Sequence, residues 1–373
     1  MHRLSRKRRV LYISSVYLIF IALLAIVEIG VRLTLPPVPS LDLFVATSQQ
    51  KAQVANAQQS GIFEGDPLLL WRLKPNLHDA LWDYTIVSTN AQNLRADHEI
   101  KAKSPGAIRI VCLGDSVTFG YRVPPVWPER PTDYDPTWLP YSMLLEKSLR
   151  AANPGREIES ITMAVPGYTS HQGVAWLQRD IDSLQPDLLI VSFGWNDVSF
   201  SDVPDREAIR TSWFPVGLRW LVDHSQAFAH ATKRLRSRNQ GQTPSPGGMQ
   251  MQVPRVSQQE YTDNMNQIVN LARERGSGVI VIAAPYRDKT TNPPEAELMT
   301  HYRKALRAEM EQKRIVFLEI TELTEAAYPS NLGWFGELIH PNHMGHRLMA
   351  SELLELLSSQ HLTNGLTIPT LTP

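Results

Sequence analysis

The sequence predicts an α/β fold in which a parallel sheet is covered on both faces by helices. Two observations support this prediction. Short segments that are apolar along their whole length recur through the chain, and stretches with helical periodicity separate them. Strands without a polar face are typical of parallel sheets that are buried on both sides. Their regular alternation with helices favours crossover connections between parallel neighbours.

The five predicted strands share a high content of Val, Ile and Leu, and they cover residues 108–114, 157–164, 187–194, 278–285 and 314–320. The predicted helices share an amphipathic pattern, and they cover residues 141–152, 172–184, 258–275, 295–313 and 343–359. The carboxyl ends of parallel strands meet at one edge of a sheet. Residues that directly follow a strand are therefore the first candidates for a site.

The N-terminus begins with a basic cluster, "MHRLSRKRRV", followed by an uncharged run over residues 10–27. A membrane span needs about 20 apolar residues. A cleaved signal peptide is the alternative, but its apolar core is about 7–15 residues long and ends at a site of small residues. This run is longer and continues into "EIGVRLTLPP". We therefore expect an uncleaved anchor, with a cytoplasmic N-terminus and an extracytoplasmic remainder.

Composition divides the chain further. Residues 1–35 form the basic tail and anchor, the Pro- and Gln-rich residues 36–60 indicate a stalk, and residues 61–360 form the globular domain. Residues 198–256 are interpreted as an insertion over the reactive edge, ending in the low-complexity, mobile stretch "NQGQTPSPGGMQMQVP". Residues 361–373 are a C-terminal tail.

Charge and cysteine content exclude several classes. Lys plus Arg equals Asp plus Glu at 37 each among 373 residues, so no net positive field favours binding to nucleic acid. The single cysteine, Cys112, excludes an internal disulfide framework and a cysteine-based zinc site. It lies in an apolar strand, where a buried thiol is the ordinary interpretation.

The first chemical motif is Gly-Asp-Ser at residues 114–116, directly after the first predicted strand. A serine hydroxyl becomes a useful nucleophile when a base removes its proton. A strand-to-helix turn exposes such a hydroxyl and directs free backbone N–H groups toward a reacting carbon. Gly-Asp-Ser is a common tripeptide, and the motif alone favours the alternative in which Ser116 is a helix N-cap.

The next two motifs follow the second and third strands. Gly167 can present its N–H to an oxyanion, and the alternative is a type II turn after Pro166. Asn196, in the segment Gly-Trp-Asn-Asp, offers a neutral amide donor of the kind that stabilises tetrahedral intermediates. The alternative there is a local turn made by Asn196 or Asp197.

The fourth motif is "GELIHPNHMGH" near the C-terminus. His340 can act as a general base, and Glu337 can orient its imidazole. The alternative is a metal site, because His340, His343 and His346 follow each other at intervals of three. No H-E-x-x-H motif occurs, so we expect no metal and no cofactor.

Taken together, Gly-Asp-Ser, then Gly, then Gly-x-Asn-Asp, then acid-x-x-His-Pro-Asn resemble the SGNH/GDSL hydrolase family over roughly residues 108–357. "DPLLLWRLKPN" and "STNAQNLR" resemble its membrane-anchored bacterial members. The resemblance implies a three-layer α/β/α, flavodoxin-like fold with strand order 2-1-3-4-5. It implies Ser116 as nucleophile, His340 as base, and an oxyanion hole of Ser116, Gly167 and Asn196. Members usually carry Asp where Glu337 stands, which leaves open an alternative in which a backbone carbonyl orients the imidazole.

The expected activity is hydrolysis of an ester-linked acyl group by a membrane-tethered enzyme. The substrate would be a glycan, such as an acetylated envelope polysaccharide, or a lipid ester. O-acyl transfer to a glycan through the same serine and histidine is one alternative, and a non-catalytic carbohydrate-binding or scaffolding module is the other. Four aromatic residues suit either stacking on sugars or packing of the insertion: Trp195, Trp213, Phe214 and Trp220.

Overall fold

A computed structural model describes residues 6–38, 61–127, 135–201, 203–207, 219–240, 253–287, 295–327, 333–359 and 366–372. Nearly all of the expected stalk and most of the low-complexity stretch of the insertion lie outside the described residues.

The helices are α1 (Arg6–Thr34), α2 (Ser116–Phe119), α3 (Tyr141–Ala152), α4 (Ser170–Leu184), α5 (Trp195–Val198), α6 (Arg219–His224), α7 (Gln226–Gln240), α8 (Gln258–Arg273), α9 (Glu295–Gln312), α10 (Ile320–Ala327) and α11 (His343–Ser359). The strands are β1 (Phe63–Asp66), β2 (Leu70–Leu73), β3 (Ala80–Trp82), β4 (Thr85–Val87), β5 (Ile108–Gly114), β6 (Ile158–Ala164), β7 (Leu188–Ser192), β8 (Phe200–Ser201), β9 (Val253–Pro254), β10 (Gly278–Ile282) and β11 (Val316–Leu318).

The central sheet has the order β11-β10-β7-β5-β6, and all its neighbours run parallel. If these five strands are numbered along the chain, the order reads 2-1-3-4-5, which confirms the order that the resemblance implied. The bounds of β5, α3 and α11 agree with the sequence prediction. Strand β7 is shorter than the predicted 187–194, because the chain leaves the ladder after Ser192 to build the site.

Burial of the sheet explains the apolar segments. Every residue of β5, β6 and β7 is buried. Alternate side chains of β5 enter two cores: Val111 and Leu113 face the core shared with α4, α8 and α9, and Ile110 and Cys112 face the core shared with α3 and α11. Burial raises the pKa of the Cys112 thiol to about 12, as expected for an inert core cysteine. The helices therefore cover both faces of the sheet.

Short antiparallel pairs lie outside the central sheet. The hairpins β1–β2 and β3–β4 precede it and were not predicted from the sequence. Strands β8 and β9 pair with each other and bring together the beginning and end of the predicted insertion.

The two ends of the chain behave differently. Leu11–Thr34 of α1 forms a helix long and apolar enough to cross a membrane, and none of it is buried inside the protein. The described C-terminal residues 366–372 pack on the domain, where the Asn153 side chain bonds both backbone groups of Thr367 at 2.7 Å. Leu366, Ile368 and Leu371 contact the core on that side.

Candidate active site

The turn after β5 exposes a serine. A Cβ atom at Gly114 would lie 2.2 Å from Thr118 Oγ1 and 2.7 Å from the Ser192 carbonyl oxygen, so the turn requires glycine. Asp115 is the N-cap of α2, and its carboxylate accepts a hydrogen bond from Val117 N at 2.9 Å. Ser116 is therefore the first helical residue rather than the cap, and its hydroxyl is available to the site.

The predicted serine, histidine and glutamate are in contact. Ser116 Oγ lies 2.7 Å from His340 Nε2, and the Glu337 carboxylate is hydrogen-bonded to His340 Nδ1. A carboxylate on Nδ1 holds the proton there and directs the lone pair of Nε2 at the serine hydroxyl. The hydrogen bond with His340 lowers the pKa of Glu337, and the positive charge of Arg122 lowers it further.

The other two histidines of the C-terminal motif serve separate neighbours. The His343 ring stacks on Trp138 with ring centroids 3.8 Å apart. His346 is buried, and its Nδ1 accepts a hydrogen bond from Tyr141 N at 3.2 Å. Burial lowers the pKa of His346 to about 3, so this ring is neutral. Within the described residues, no group of three His, Cys, Asp or Glu side chains has the arrangement of a metal site.

Gly167 lies in a turn that joins β6 to α4. Tyr168 N donates to the Val165 carbonyl at 3.2 Å, Pro166 follows Val165, and Gly167 has a φ of 85°. These are the features of a type II turn, so that interpretation of the motif holds. The N–H of Gly167 has no acceptor among the described residues, and the same is true of Ser116 N–H. Both groups therefore remain available for an oxyanion.

Asn196 links the serine turn to the glycine turn. Its Nδ2 donates to the Tyr168 carbonyl at 3.0 Å and to Asp115 Oδ2 at 3.3 Å. Both amide hydrogens are thus engaged here, the second of them weakly. Burial raises the pKa of Asp115 to about 6. The neighbouring Asp197 instead caps α4, accepting from Ser170 N at 3.0 Å and from its hydroxyl at 2.5 Å.

Arg95 supports the serine turn through hydrogen bonds to backbone carbonyl groups. The sequence analysis assigned this residue no role. It is 4% exposed and donates to the carbonyl oxygens of Phe119, Gly120 at 3.0 Å, Val123 at 2.8 Å and Ile86 at 3.1 Å. Phe119 is the last residue of α2, Gly120 and Val123 follow that helix, and Ile86 belongs to β4. The segment "STNAQNLR" therefore ends in the side chain that ties the chain after the serine to the hairpin before it.

Arg255 supports the glycine turn in the same way. It donates to the Gly167 carbonyl at 2.9 Å and pairs with Asp205 through bonds of 3.0 and 2.8 Å. Both side chains are completely buried. Thr169 completes the cluster by donating to Asp205 at 2.9 Å. Arg255 and Asp205 belong to the predicted insertion, so the described part of that region helps to build the site.

Tyr121 borders the histidine. Its ring centroid lies 4.3 Å from that of His340, and its hydroxyl donates to the Asp83 carboxylate. Arg122 also donates to Asp83, at 3.1 Å, and its guanidinium lies over the Tyr121 ring at 4.8 Å. The sequence analysis assigned no role to Tyr121 or Arg122. Their position immediately after the Gly-Asp-Ser helix is the sequence feature that could have indicated them.

Tyr121 and Arg122 form one rim of the site beside His340, and an exposed aromatic pair continues this rim. The rings of Tyr84 and Trp127 are 5.3 Å apart, and the side chains are 39% and 37% exposed. Arg122 lies over Tyr84 at 5.4 Å and so joins the pair to Tyr121. The described residues on this side of His340 are therefore mainly aromatic, and the Arg122 guanidinium lies among them.

Trp195 is part of the core and does not extend this rim. It is 8% exposed, and its indole N–H donates to the Pro285 carbonyl at 2.7 Å. The side chains of Trp213, Phe214 and Trp220 lie outside the described residues.

The model of the GDSL-like lipase/acylhydrolase family matches residues 112–348, a segment that includes all five predicted site residues. No curated protein matches the chain.

Solved structures similar to this chain include the following three. An enzyme named LAE5 from the metagenome of Lake Arreo is 18% identical, covers 69% of this chain and 98% of its own, and has a TM-score of 0.43. A mutant of Axe2, an acetyl-xylooligosaccharide esterase of Geobacillus stearothermophilus, is 17% identical, with coverages of 67% and 94% and a TM-score of 0.43. The lipase/acylhydrolase of Enterococcus faecalis is 16% identical, with coverages of 70% and 99% and a TM-score of 0.43.

Proposed function

The chain belongs to the GDSL-like lipase/acylhydrolase family and is an ester-hydrolysing serine enzyme; we propose that Ser116 is its nucleophile, His340 its general base and Glu337 the residue that orients the base. The observation that supports these roles is the chain of contacts from carboxylate to imidazole to hydroxyl, with Ser116 Oγ 2.7 Å from His340 Nε2. This is the arrangement that activates a serine.

In the first half-reaction, Ser116 Oγ attacks the ester carbonyl carbon while its proton moves to His340 Nε2. The carbonyl electron pair becomes an oxyanion. When the tetrahedral intermediate collapses, the bond to the alcohol oxygen breaks, and that oxygen takes the proton from Nε2. A water molecule then repeats the sequence on the acyl-serine and releases the acid and the free hydroxyl.

The oxyanion is assigned to the N–H groups of Ser116 and Gly167 and to the side chain of Asn196. The two backbone groups have no acceptor among the described residues, which supports their role. Asn196 would exchange its longer bond, the one to Asp115 at 3.3 Å, for the oxyanion. One such donor contributes about 3 kcal/mol to the stability of the transition state.

We assign the substrate to carbohydrate esters, with an acetylated envelope polysaccharide as the leading example. The support is the exposed pair of Tyr84 and Trp127, which Arg122 joins to Tyr121 and hence to His340. Aromatic faces pack on the apolar faces of sugar rings, and a guanidinium donates to their oxygen atoms. A lipid ester is the competing substrate.

We also propose that α1 anchors the enzyme, with the basic residues at its start in the cytoplasm and residues 61–360 outside. The apolar length of Leu11–Thr34 supports a span, and the charges of Lys7 and Arg8 at one end support this orientation.

The proposed roles are tested with p-nitrophenyl acetate and the Ser116→Ala variant. We expect kcat to fall at least 10³-fold, because neither the attack nor the acyl-enzyme is then available. Thermal unfolding of the variant checks that the fold is intact. Equal rates for the two proteins would exclude Ser116 as the nucleophile and favour a non-catalytic module.

The substrate is tested with acetylated xylo-oligosaccharides and with a short-chain phospholipid. We expect Tyr84→Ala and Trp127→Ala to raise KM for the oligosaccharide several-fold and to leave p-nitrophenyl acetate turnover nearly unchanged. Faster cleavage of the phospholipid would overturn the glycan assignment. Formation of an acylated oligosaccharide from an acetyl donor, at a rate above that of hydrolysis, would identify a transferase instead.

A further inference from the structure

The end of the membrane helix α1 is fastened to helix α7. The Glu28 carboxylate accepts hydrogen bonds from Gln226 N at 2.8 Å, Ala227 N at 3.0 Å and the Ser225 hydroxyl at 2.8 Å. These backbone groups are the first of α7, and a helix leaves its first N–H groups without an internal acceptor. Glu28 therefore serves as the N-terminal cap of a helix that lies about 200 residues away in sequence.

Further contacts surround this cap. Arg32 donates to Glu28 at 2.6 Å and to the His224 carbonyl at 3.0 Å, so it joins α1 to the end of α6. Beyond α1, Val38 N donates to the Gln226 side chain at 2.8 Å. His230 lies at hydrogen-bond distance, 3.0 Å, from the Pro36 carbonyl.

A small apolar cluster completes the junction. The buried side chains of Val38, Val222 and Ala229 pack together, and Phe228 packs against them. Polar and apolar contacts thus hold α6 and α7 against the exit of α1. A leader peptide that is removed would take half of this junction with it.

The position of Glu28 places the junction at a membrane surface. From Leu11 to Glu28, α1 rises about 26 Å at 1.5 Å per residue. That length nearly spans a hydrocarbon core of about 30 Å. A carboxylate within hydrocarbon is costly, whereas here it is neutralised and fully hydrogen-bonded where the core ends. Helix α7 therefore begins at the interface.

The sequence of α7 suits the chemistry of that interface. Lys233, Arg234 and Leu235 are exposed, and Leu235 is 63% exposed. The segment Gln226–Gln240 also contains Arg236 and Arg238 and has no Asp or Glu. Basic helices with exposed apolar residues bind membrane surfaces that carry anionic lipid headgroups.

We propose that α6 and α7 form a membrane-surface platform, clamped to the exit of α1 by Glu28 and seated through the basic residues of α7 on anionic lipid headgroups. In this arrangement α1 is a retained part of the folded protein. The platform is independent of the ester chemistry assigned above.

The platform is tested on the full chain in lipid nanodiscs, with a polarity-sensitive fluorophore on Leu235→Cys. The native Cys112 is buried, with a pKa of about 12, and does not compete for the label. We expect spin-labelled lipids to quench the fluorophore at least about twofold more in discs that contain phosphatidylglycerol than in pure phosphatidylcholine. Reversing Lys233 and Arg234 to Glu should remove the difference.

A label on Glu311→Cys, at the exposed end of α9, is the matched control and should not respond to lipid charge. Equal quenching of the α7 label in both kinds of disc would overturn the headgroup contact.

The clamp is tested separately by Glu28→Ala. We expect hydrogen exchange at Gln226 and Ala227 to accelerate at least about tenfold, because both amides lose their acceptor. Hydrolysis of p-nitrophenyl acetate should be unchanged, since Glu28 has no contact with the site. Unchanged exchange would overturn the clamp, and so would a mature protein whose intact mass lacks the residues before Glu28.

Discussion

The two halves of the candidate site are supported in different ways. The serine turn rests on Arg95, which is 4% exposed and satisfies carbonyl oxygens from two separate segments. The histidine is oriented by Glu337, whose side chain is 42% exposed. The loop that carries both residues is held mainly by hydrogen bonds within itself. Gly336 N donates to the His340 carbonyl and Asn342 N to the Trp334 carbonyl, both at 3.0 Å.

This difference predicts different effects of substitutions on stability and on activity in the two halves. The side chains that support the serine are buried. Their loss leaves buried carbonyl oxygens without a hydrogen-bond donor, which lowers the free energy of unfolding. The side chain that supports the histidine lies at the surface, where water can replace it. Substitutions on the serine side should therefore lower both stability and activity, whereas those on the histidine side should lower activity alone.

The largest effect on activity from the histidine side is expected for His340→Ala. Removal of the proposed base should lower kcat for p-nitrophenyl acetate by about 10³-fold, within the range of general-base contributions. The melting temperature should change little, since the ring lies at the edge of the core. A loss below tenfold would mean that another group takes the serine proton. It would contradict the comparison between the two halves, which assigns the base to the histidine side.

On the serine side, Arg95→Met should destabilise the protein by about 3–5 kcal/mol, because several buried carbonyls lose their donor. The kcat should fall as well, since the turn after Ser116 loses its tie to β4. Urea unfolding measures the first effect and steady-state kinetics the second. The matched control is Arg179→Met, whose partly exposed pair with Asp180 should contribute less than about 1 kcal/mol. Similar losses in the two variants would refute the role of Arg95.

Glu337→Ala should have a smaller effect, lowering kcat about 10- to 100-fold with an unchanged melting temperature. The side chain is 42% exposed, so water can take the place of the carboxylate beside His340 Nδ1, but the charge beside the imidazolium is lost. A loss as severe as that of His340→Ala would show that the carboxylate is indispensable. It would contradict the expectation that water can replace the exposed support of the histidine.

The smallest effect concerns pH and again distinguishes the halves. Burial raises the pKa of Asp115 to about 6 and that of Asp197 to about 7, whereas the pKa of Glu337 is lowered. A folded state with a raised carboxyl pKa binds more protons than the unfolded state, for which the pKa is about 3.9. The free energy of unfolding should therefore fall as pH rises from about 4 to about 7.

This slope is measured by thermal unfolding between pH 5 and pH 7. Asp197→Asn should flatten it, because the buried carboxyl group that titrates in this range is gone. The control is Asp182→Asn: the Asp182 side chain is 78% exposed, and its lowered pKa moves its titration below this range. A slope that Asp197→Asn leaves unchanged would contradict the assignment.

The sequence predicted the central sheet well, because continuously apolar strands and amphipathic helices are local signals. The bounds of β5 and α11 were predicted correctly, and Ser116 and His340, 224 residues apart, are in contact as expected. Strand ends such as that of β7 were predicted too long, because apolar residues continue past the last ladder bond into the site.

The supports of the site could not be predicted. Arg95 and Arg255 look like ordinary surface charges in the sequence, and only the folded chain shows that they are buried against carbonyl groups. The contact of Glu28 with α7 is equally non-local. Side chains whose partners are distant backbone atoms leave no periodic signal, so such contacts become visible only in three dimensions.

The packing of Val38 has a consequence for shortened forms of the protein. Because residues 36–38 contact α7, a chain that begins after residue 38 would leave Val222 and Ala229 without an apolar partner that they have here. Such a truncation should expose apolar surface on α6 and α7, and the shortened protein should self-associate more readily than the full chain.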